Sequence, residues 1–547
     1  MSQPPTMTDI STSSVSLAPL FERGEHYGVV QTAVARLAED PSDVQTALFV
    51  FRSLVALGLI GPAMEMVSEG GGALAALPEF QALRSDLAEM PSGLVAWESL
   101  RDRFEANAAR VYERHPHLRR HNEAFRRVPE SLDLYRSIDG NLHLSARPAA
   151  GVRQWLTGPC DATQLVAGIR FAHDSKATFC SPYIVLGDHL GVLFEGVCAG
   201  TNKMFMTFRP RVYLVEPDVQ MIGALLHVAE SMDSLCEERA TIFVGADWLE
   251  ELCGLLRDSA DRAIPEYIVQ APNVEPAEQG RLVGALRDLT TGRERAGHEI
   301  VGTVWKHYEG LDRAHWHSRY GTAAGSALRI LGLTSRFTTV LQYSMRDLKA
   351  AFERLGCEFR LLIEPNDHDL LPPVRTAEVI EAFRPDMVLA IDHLRAEYEA
   401  VVPTEVPFVC WIQDRMPSLF RTEAGRGVGP FEFVIGHGFP ECLTQYEYPA
   451  ERFWPCVIPT DPDRMVVPDE RPDDIEPYRC DVMYATNAAA TPAELHAQFR
   501  DHFEGRALAF VDAAHETLMS VVREPAFCGD YDYDGLIKRV ERETGVA

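Results

Sequence analysis

The chain has 547 residues, 46% of them apolar and 24% charged, which is a globular composition and too great a length for one hydrophobic core. Domains of ordinary size would number about three to four. The formal net charge of −28 argues against a nucleic-acid partner and against anionic membrane surfaces, because phosphate groups are bound by clustered Lys and Arg. No apolar run approaches the ~20 residues needed to span a bilayer.

The eleven cysteines occur singly, without a C-x-x-C pair. This usage is typical of reduced thiols in a cytosol and gives no support for disulfides or a zinc site. Residues 1–20 are rich in Ser, Thr and Pro and lack the basic start and apolar run of a signal peptide. We therefore expect a disordered tail over 1–20 and a cytoplasmic protein without a membrane span. The sequence leaves a homo-oligomer open.

Residues 21–130 are predicted to be α-helical. Apolar residues recur at spacings of three and four from Val29 to Leu37 and again from Ala47 to Leu57. Two interpretations remain open. The region is either a tetratricopeptide-like hairpin of one or two units or a plain helical cap on the next domain.

Residues 131–310 are predicted to form a first Rossmann-like domain, because short apolar runs alternate with helical segments. The predicted strands are 182–186, 211–215, 241–245 and 268–269, and the helices after the second and third strands are 219–229 and 248–256. Apolar strands that alternate with helices are typical of a parallel, doubly wound sheet. The segment 311–327 contains a run of small residues and is predicted to be a linker.

A second Rossmann-like domain is predicted over 328–478. Its strands are 328–333, 359–363, 387–391, 408–412 and 433–435, and a helix over 344–355 ends at Gly356. Residues 479–547 are predicted to hold one strand, near Asp481, and then three helices over 492–503, 507–522 and 533–543. The fold class is therefore α/β, with a small α-helical region before two Rossmann-like doubly wound domains.

Ligands of open parallel sheets bind beyond the carboxyl ends of the strands. In the second domain these ends carry Asp414 and His437, either of which could take a proton from a hydroxyl group. Trp411 and Met416 are expected to form a pocket wall beside Asp414. Each polar residue could instead satisfy the backbone of its own loop. The candidate substrate-binding residues are Thr334, Ser335, Arg336, Asp392, His393, Gln413 and Arg415.

The first domain offers a candidate nucleotide site. Gly187 and Gly191 bracket a G-x-x-x-G loop between a predicted strand and a helix, and Glu216 ends the next strand. A glycine turn at a helix N-terminus binds anions, and an acid at the second strand end commonly holds a ribose. We therefore predict that Gly187, Asp188, Gly191 and Glu216 bind a nucleotide. The loop lacks the third glycine of a dinucleotide fingerprint, so an ordinary turn is the alternative.

A metal site is not expected. His315 and His317 are two residues apart on a predicted helix and do not share one face.

Several segments of the last third follow one another in a distinctive order: Arg329–Leu333, Arg384–Leu389, Val406–Asp414, Tyr446–Arg452, Pro459–Pro462 and Asp481–Asn487. Together they resemble the N-terminal half of CgeB-type (spore maturation) glycosyltransferases, over residues of about 328–500. The resemblance implies a GT-B-type fold whose first half recognises the acceptor and whose second half is incomplete here. It implies a nucleotide-sugar substrate and no required cofactor.

A second set of segments lies upstream: Asn107, Pro116–Leu118, Ser137–Gly140, Tyr183–Gly191 and Val215–Asp218. They are similar to the central region of motility accessory factor proteins, which are linked to flagellin glycosylation, over residues of about 100–310. The glycine loop departs from the richer form expected of that family.

The leading hypothesis is a glycosyltransferase, or the acceptor-side part of one, that acts on a protein or cell-surface glycan. Transfer is expected to be metal-independent, because no D-x-D triplet lies at a strand end. The short C-terminal region indicates either a truncated form of a longer enzyme or a half-enzyme without classical donor binding. One alternative is a non-catalytic module that recruits a partner such as a flagellin. Another is an S-adenosylmethionine-dependent methyltransferase acting through residues 181–245.

Overall fold

The computed structural model divides the chain into two compact units, residues 1–465 and 466–547. No helix within the described residues is both long and apolar enough to cross a membrane. The structure describes residues 16–40, 42–68, 78–146, 154–171, 181–202, 207–321, 325–458, 491–523 and 533–545.

The first unit begins with five helices: α1 (Leu17–Glu22), α2 (His26–Glu39), α3 (Val44–Ala56), α4 (Ile60–Ser68) and α5 (Pro78–Ala88). Asp43 caps α3 by accepting the amide of Thr46 at 3.1 Å. The apolar positions predicted from sequence form one core, in which Val29 and Leu54 are buried. Leu17 is also buried in this core. Residues 17–20, predicted to be part of a disordered tail, belong to helix α1. Residues 1–15 lie outside the described residues.

Two further helices pack against the first parallel sheet rather than against α1–α5. They are α6 (Arg101–Arg114) and α7 (Asn122–Ser131), with 3-10 turns at Trp97–Leu100 and Pro116–His121. The apolar stripe Phe104, Ala108 and Val111 of α6 lies in that sheet's core. Asn107 on the same helix donates to the carbonyl oxygens of Leu226 and Ala229, at 3.0 and 2.9 Å. The predicted helical region over 21–130 therefore belongs to two different cores.

A small antiparallel sheet precedes the first parallel sheet and was not predicted. It consists of β1 (Leu132–Arg136), β2 (Leu142–Ala146) and β3 (Gln154–Trp155). Leu132 pairs with Ala146 and Arg136 with Leu142. Gly140, at φ 89°, lies in the connecting turn. A short helix, α8 (Ala162–Ala167), follows. Strands this short give a weak alternating pattern, which explains why the sequence did not reveal them.

The first parallel sheet matches the predicted strands closely. Its strand order is 3-2-1-4 in chain order, as in one half of a Rossmann fold, and helices cover both faces. Asp218 caps the second of its helices by accepting the amide of Gln220 at 2.9 Å. The elements are β4 (Tyr183–Leu186), α9 (Val192–Gly200), β5 (Val212–Glu216), α10 (Val219–Val228), α11 (Asp233–Cys236), β6 (Ala240–Val244), α12 (Trp248–Asp258) and β7 (Tyr267–Gln270).

A 33-residue helix, α13 (Pro276–Tyr308), connects the two α/β domains, and α14 (Arg313–Tyr320) follows it. The N-terminal part of α13 packs on the first sheet through Leu282, and its C-terminal part packs on the second through Tyr308. The segment 311–327, predicted to be a linker, instead contains α14. Trp316 of α14 is buried in the second core, and its indole nitrogen donates to the Glu405 carbonyl at 2.8 Å.

The second parallel sheet has six strands, and the strand order is 2-1-3-4-5-6 in chain order. The predicted strands are confirmed, and a sixth at the edge was missed. Gly356, at φ 82°, ends the first helix as expected. The elements are β8 (Arg329–Leu333), α15 (Leu341–Arg354), β9 (Glu358–Leu362), α16 (Pro373–Phe383), β10 (Met387–Ile391), β11 (Phe408–Ile412), α17 (Thr422–Gly427), β12 (Glu432–Gly436), α18 (Pro440–Thr444) and β13 (Phe453–Pro455), with 3-10 turns at Arg395–Tyr398 and Ala450–Arg452.

The two faces of this sheet bury different side chains of the same strands. Val388 and Ala390 of β10 face one core, whereas Leu389 and Ile391 face the other. Helix α15 contributes Met345 to the second of these cores. Both faces are thus apolar, as a doubly wound sheet requires, and the chain is an α/β protein with two parallel sheets.

The second unit, within its described residues, is helical. Its helices are α19 (Pro492–His502), α20 (Gly505–Val522) and α21 (Tyr533–Thr544), which match the three predicted from sequence. Thr491 and Glu494 form a capping box at the start of α19. The strand predicted near Asp481 lies outside the described residues.

Candidate functional site

The carboxyl edge of the second sheet brings most of the predicted site residues to one side of the molecule. Strand β10 pairs in parallel with both β8 and β11, and β11 pairs with β12. The strand order reverses between β8 and β10, and ligands of open α/β sheets bind at such a switch point. The loops that leave this edge carry Thr334, Ser335, Arg336, Asp392, His393, Gln413, Asp414, Arg415 and His437.

Asp392 lies directly after β10 and is only 2% exposed. Its backbone has φ 58°, a left-handed conformation that is uncommon outside glycine. One carboxylate oxygen, Oδ1, accepts the amides of Gln413 at 2.8 Å and Asp414 at 3.1 Å. The other, Oδ2, is buried without a hydrogen-bond partner. Burial raises the pKa of Asp392 to about 6.

Gln413 links the loop after β11 to helix α15. Its side-chain oxygen accepts a hydrogen bond of 3.2 Å from the Ser344 hydroxyl. Its side-chain nitrogen is buried and makes no hydrogen bond within the described part of the chain. Gln413 and Asp392 therefore each have one buried polar atom without a hydrogen-bond partner in the described residues. Sequence reasoning missed Ser344, which lies within a predicted helix rather than at a strand end.

Asp414 is exposed, and its backbone amide is held by the buried Asp392. Trp411 and Met416 were expected to form a pocket wall beside Asp414. In the structure Trp411 is buried in the sheet interior, while Met416 is 40% exposed. Asp414 is thus exposed to solvent, on a loop whose backbone is hydrogen-bonded to the buried Asp392.

Arg415, predicted to bind substrate, makes local contacts. It pairs with Glu441, and its guanidinium lies over the rings of Phe420 and Phe439, 5.5 and 5.8 Å from their centroids. These contacts attach the loop after β11 to helix α18. In this structure Arg415 supports the loop.

Arg336 is held at the edge by the loop after β9. Its amide donates to Glu364 Oε2 at 2.8 Å, and its guanidinium donates to the Glu364 carbonyl at 2.9 Å. It also pairs with Asp367 at 2.8 Å, and its side chain is 32% exposed. The hydroxyl of the neighbouring Ser335 accepts the amide of Phe337 at 3.2 Å. Glu364 and Asp367 end a predicted strand, so the sequence contained the signal for both.

The two histidines of this edge differ in their surroundings. Nδ1 of His393 lies 2.7 Å from a Glu397 carboxylate oxygen, and this contact raises the pKa of His393. His437 is exposed after β12. Thr334, directly after β8, donates its amide to the Leu362 carbonyl at 3.2 Å.

The glycine loop of the first sheet, which was predicted to bind a nucleotide, is closed in this structure. All residues from Gly187 to Gly191 are buried. A Cβ on Gly187 would lie 2.3 Å from Val274 Cγ2, so the segment after β7 packs directly on the loop. Leu190 packs in a core with Leu132, Leu134 and Leu144 of the antiparallel sheet. The small sheet that the sequence did not reveal therefore covers this loop.

Asp188 of that loop and Glu216 at the end of β5 both accept hydrogen bonds from backbone amides. Glu216 accepts the amides of Asp188 and Asp218, at 3.1 and 3.0 Å. Asp188 Oδ1 accepts the amides of Leu193 and Phe194 at the start of α9, at 3.1 and 3.4 Å. Burial raises the pKa of Glu216 to about 8 and that of Asp188 to about 7. Both acids thus accept backbone hydrogen bonds, as in the alternative interpretation of an ordinary turn, while Asp188 Oδ2 is buried without a partner in the described residues.

Within the described residues, no group of three or more His, Cys, Asp or Glu side chains is arranged to hold a metal ion. No family model, curated protein or solved structure matches the chain. The site must therefore be interpreted from its own geometry.

Proposed function

We propose that the carboxyl edge of the second sheet is the acceptor side of a glycosyl-transfer centre of GT-B type. The observation that carries the proposal is the arrangement around Asp392. A buried acid in a strained backbone conformation holds the loop that presents the exposed Asp414. A left-handed backbone is unfavourable for residues other than glycine, though least so for Asp and Asn, and such conformations are concentrated at functional sites.

In this proposal Asp414 is the catalytic base and Asp392 is a positioning residue. The acceptor hydroxyl donates its proton to the Asp414 carboxylate, and its oxygen attacks the anomeric carbon of the donor sugar. The bond between that carbon and the leaving phosphate oxygen breaks, and the nucleotide departs with the bonding electron pair. Arg336 offsets the negative charge that develops on the leaving group. His437, exposed at the next strand end, is the alternative base.

Several features support hydroxyl-group transfer over the other hypotheses. Asp414 is exposed on a loop whose backbone amide the buried Asp392 accepts, so its carboxylate is accessible to an acceptor hydroxyl. We do not propose the methyltransferase, because Glu216 and Asp188 already bind the loop that would hold its cofactor. A protein or cell-surface glycan is the proposed acceptor.

The first experiment is calorimetric titration of the full chain with a panel of sugar nucleotides and their free nucleoside diphosphates. Binding in the micromolar range, followed by sugar release or transfer in a product assay, is the expected result. If none of the panel binds or is turned over, the transferase proposal fails and a partner-recruiting module takes its place.

Asp414→Asn tests the assigned base. We expect loss of transfer by at least about 100-fold, the lower range for a general base, with an almost unchanged melting temperature because the side chain is exposed. Glu358→Gln is the matched control, since Glu358 is an exposed acid at the amino end of β9. Activity that survives in Asp414→Asn but falls in His437→Asn would move the role to His437.

A further inference from the structure

A polar cleft of about 360 Å³ lies between the two α/β domains of the first unit. One wall is formed by Arg211, at the start of β5, and by residues 258–262 after α12. The other is formed by the loop between β9 and α16 and by Arg375. Ligand pockets are typically about 300–1,000 Å³ and often lie at domain interfaces.

Ion pairs between the domains fix the two walls. Arg211 makes two hydrogen bonds of 2.6 Å to Asp369, and both side chains are almost fully buried. Asn366 also donates to Asp369, at 2.8 Å. At a second point Arg375 pairs with Asp261 at 2.9 Å. The cleft is thus bounded by charged groups that are already neutralised and held in place.

Arg262 is the exception among the cations that line the cleft. It makes no ion pair of its own within the described residues, although its charge, after that of Arg211, helps to hold the pKa of Asp369 below its usual value. Burial raises the pKa of the nearby Tyr213, and the positive charge of Arg262 opposes that rise. Asp258, on the same wall, is exposed and likewise makes no ion pair in the described part of the chain. Arg262 and Asp258 are therefore the guanidinium and the carboxylate of the cleft that are not paired with each other or with another charged side chain at salt-bridge distance in the described residues.

We propose that this cleft binds a small hydroxylated oxyanion, with Arg262 holding the anionic group and Asp258 accepting a hydroxyl. The planar guanidinium donates two parallel hydrogen bonds to phosphate or carboxylate oxygens. Both a phosphate ester and a sugar carboxylate have this chemistry. The proposal does not depend on the glycosyl-transfer centre.

The cleft and the candidate functional site share one loop. Glu364 and Asp367 of this loop hold Arg336, whereas Asn366 and Asp369 line the cleft. The cleft itself contains none of the residues assigned to the transfer centre. Binding in the cleft can therefore be measured in a variant that has lost Asp414.

The test is calorimetric titration of the full chain with three matched probes: glucose 6-phosphate, gluconate and glucose. We expect at least one anion to bind about tenfold or more tightly than glucose, and which anion does so identifies the group that Arg262 recognises. Arg262→Gln should weaken that binding about tenfold, while Arg257→Gln, an exposed arginine at the end of α12, should leave it unchanged.

The inference is overturned if neither anion binds better than glucose, or if Arg262→Gln binds the anion as tightly as the parent protein. Because Arg262 lies close to the buried Tyr213, Arg262→Lys is a second variant that keeps the charge. It should retain weakened binding of the same anion. Asp414→Asn should bind the anion normally, and loss of binding there would assign the anion to the transfer centre instead.

Discussion

Asp392 differs from the other predicted site residues of this edge in its backbone conformation. Its backbone is left-handed at φ 58°, and its carboxylate is buried with one oxygen unpaired. The other oxygen satisfies the amides of Gln413 and Asp414. Among the residues at this edge it is therefore the one whose removal should disturb the position of Asp414 most.

Asparagine and alanine substitutions at position 392 test how much the hydrogen bonds accepted by Oδ1 contribute to stability. Asp392→Asn keeps an acceptor oxygen and tolerates the left-handed backbone, so we expect the free energy of unfolding to change by less than about 1 kcal/mol. Asp392→Ala removes the acceptor of the Gln413 and Asp414 amides, of which the first is buried, and should cost about 2 kcal/mol or more. Urea denaturation at pH 7 measures both. Equal stability of the two variants would contradict the role of Oδ1.

Glu216 predicts a pH dependence of stability. Its folded-state pKa is raised to about 8 by burial, whereas an unfolded Glu titrates near ~4.3. Between these values the folded state binds more protons than the unfolded state, so stability falls as pH rises. Asp188, raised to about 7, acts in the same direction. We expect the melting temperature to fall between pH 6 and pH 9.

Glu216→Gln tests the origin of that fall, because the amide does not ionise, although its nitrogen cannot accept one of the two backbone amides that the carboxylate oxygens accept. Its melting temperature should decline less over the same pH interval, and below pH 5 the variant should gain nothing over the parent. An identical decline in both proteins would assign the effect to other groups.

At the scale of elements, helix α17 packs closely against the backbone of residues 446–448. A Cβ on Gly425 would lie 1.9 Å from the Tyr446 carbonyl oxygen and 2.7 Å from the Tyr448 amide. The hydroxyl of Tyr448 in turn donates to the Leu419 carbonyl at 2.8 Å. Only glycine at position 425 allows this segment to lie against the helix.

Gly425→Ala should therefore destabilise the second α/β domain by about 1–3 kcal/mol, the usual cost of overpacking. Gly427→Ala is the control, because a Cβ there meets no atom within 4 Å in the described structure. The comparison uses thermal unfolding, followed by circular dichroism. Similar melting temperatures for the two variants would show that the 446–448 segment moves away at little cost.

At the scale of the whole first unit, helix α13 and the buried Arg211–Asp369 pair join the two parallel sheets. Arg211→Met removes one partner and leaves Asp369 buried without its counter-charge. Losing one partner of a buried pair costs about 3–5 kcal/mol. We expect a lower urea midpoint and faster proteolysis of the unit. The double variant Arg211→Met with Asp369→Leu should recover part of the loss, and an additive further loss would contradict the pairing.

Much of the fold was predictable because the parallel strands are apolar on both faces. Runs such as 387–391 and 408–412 are short, continuous and bounded by turns, and the structure has strands at those positions. The antiparallel sheet of β1–β3 was not predictable, because β3 has two residues and β2 mixes polar with apolar side chains. Strand β13, with three residues, was missed for the same reason.

The sequence by itself determined the fold class, the order of the elements and the loops that could carry chemistry. It did so because helix and strand periodicities are local and because parallel strands end at a common edge. Only the tertiary structure decided which loops are open. The first loop is covered by a sheet from earlier in the chain, while the second still presents Asp414. Burial of Asp188 and Glu216 depends on contacts between residues distant in sequence, and local patterns contain no record of such contacts.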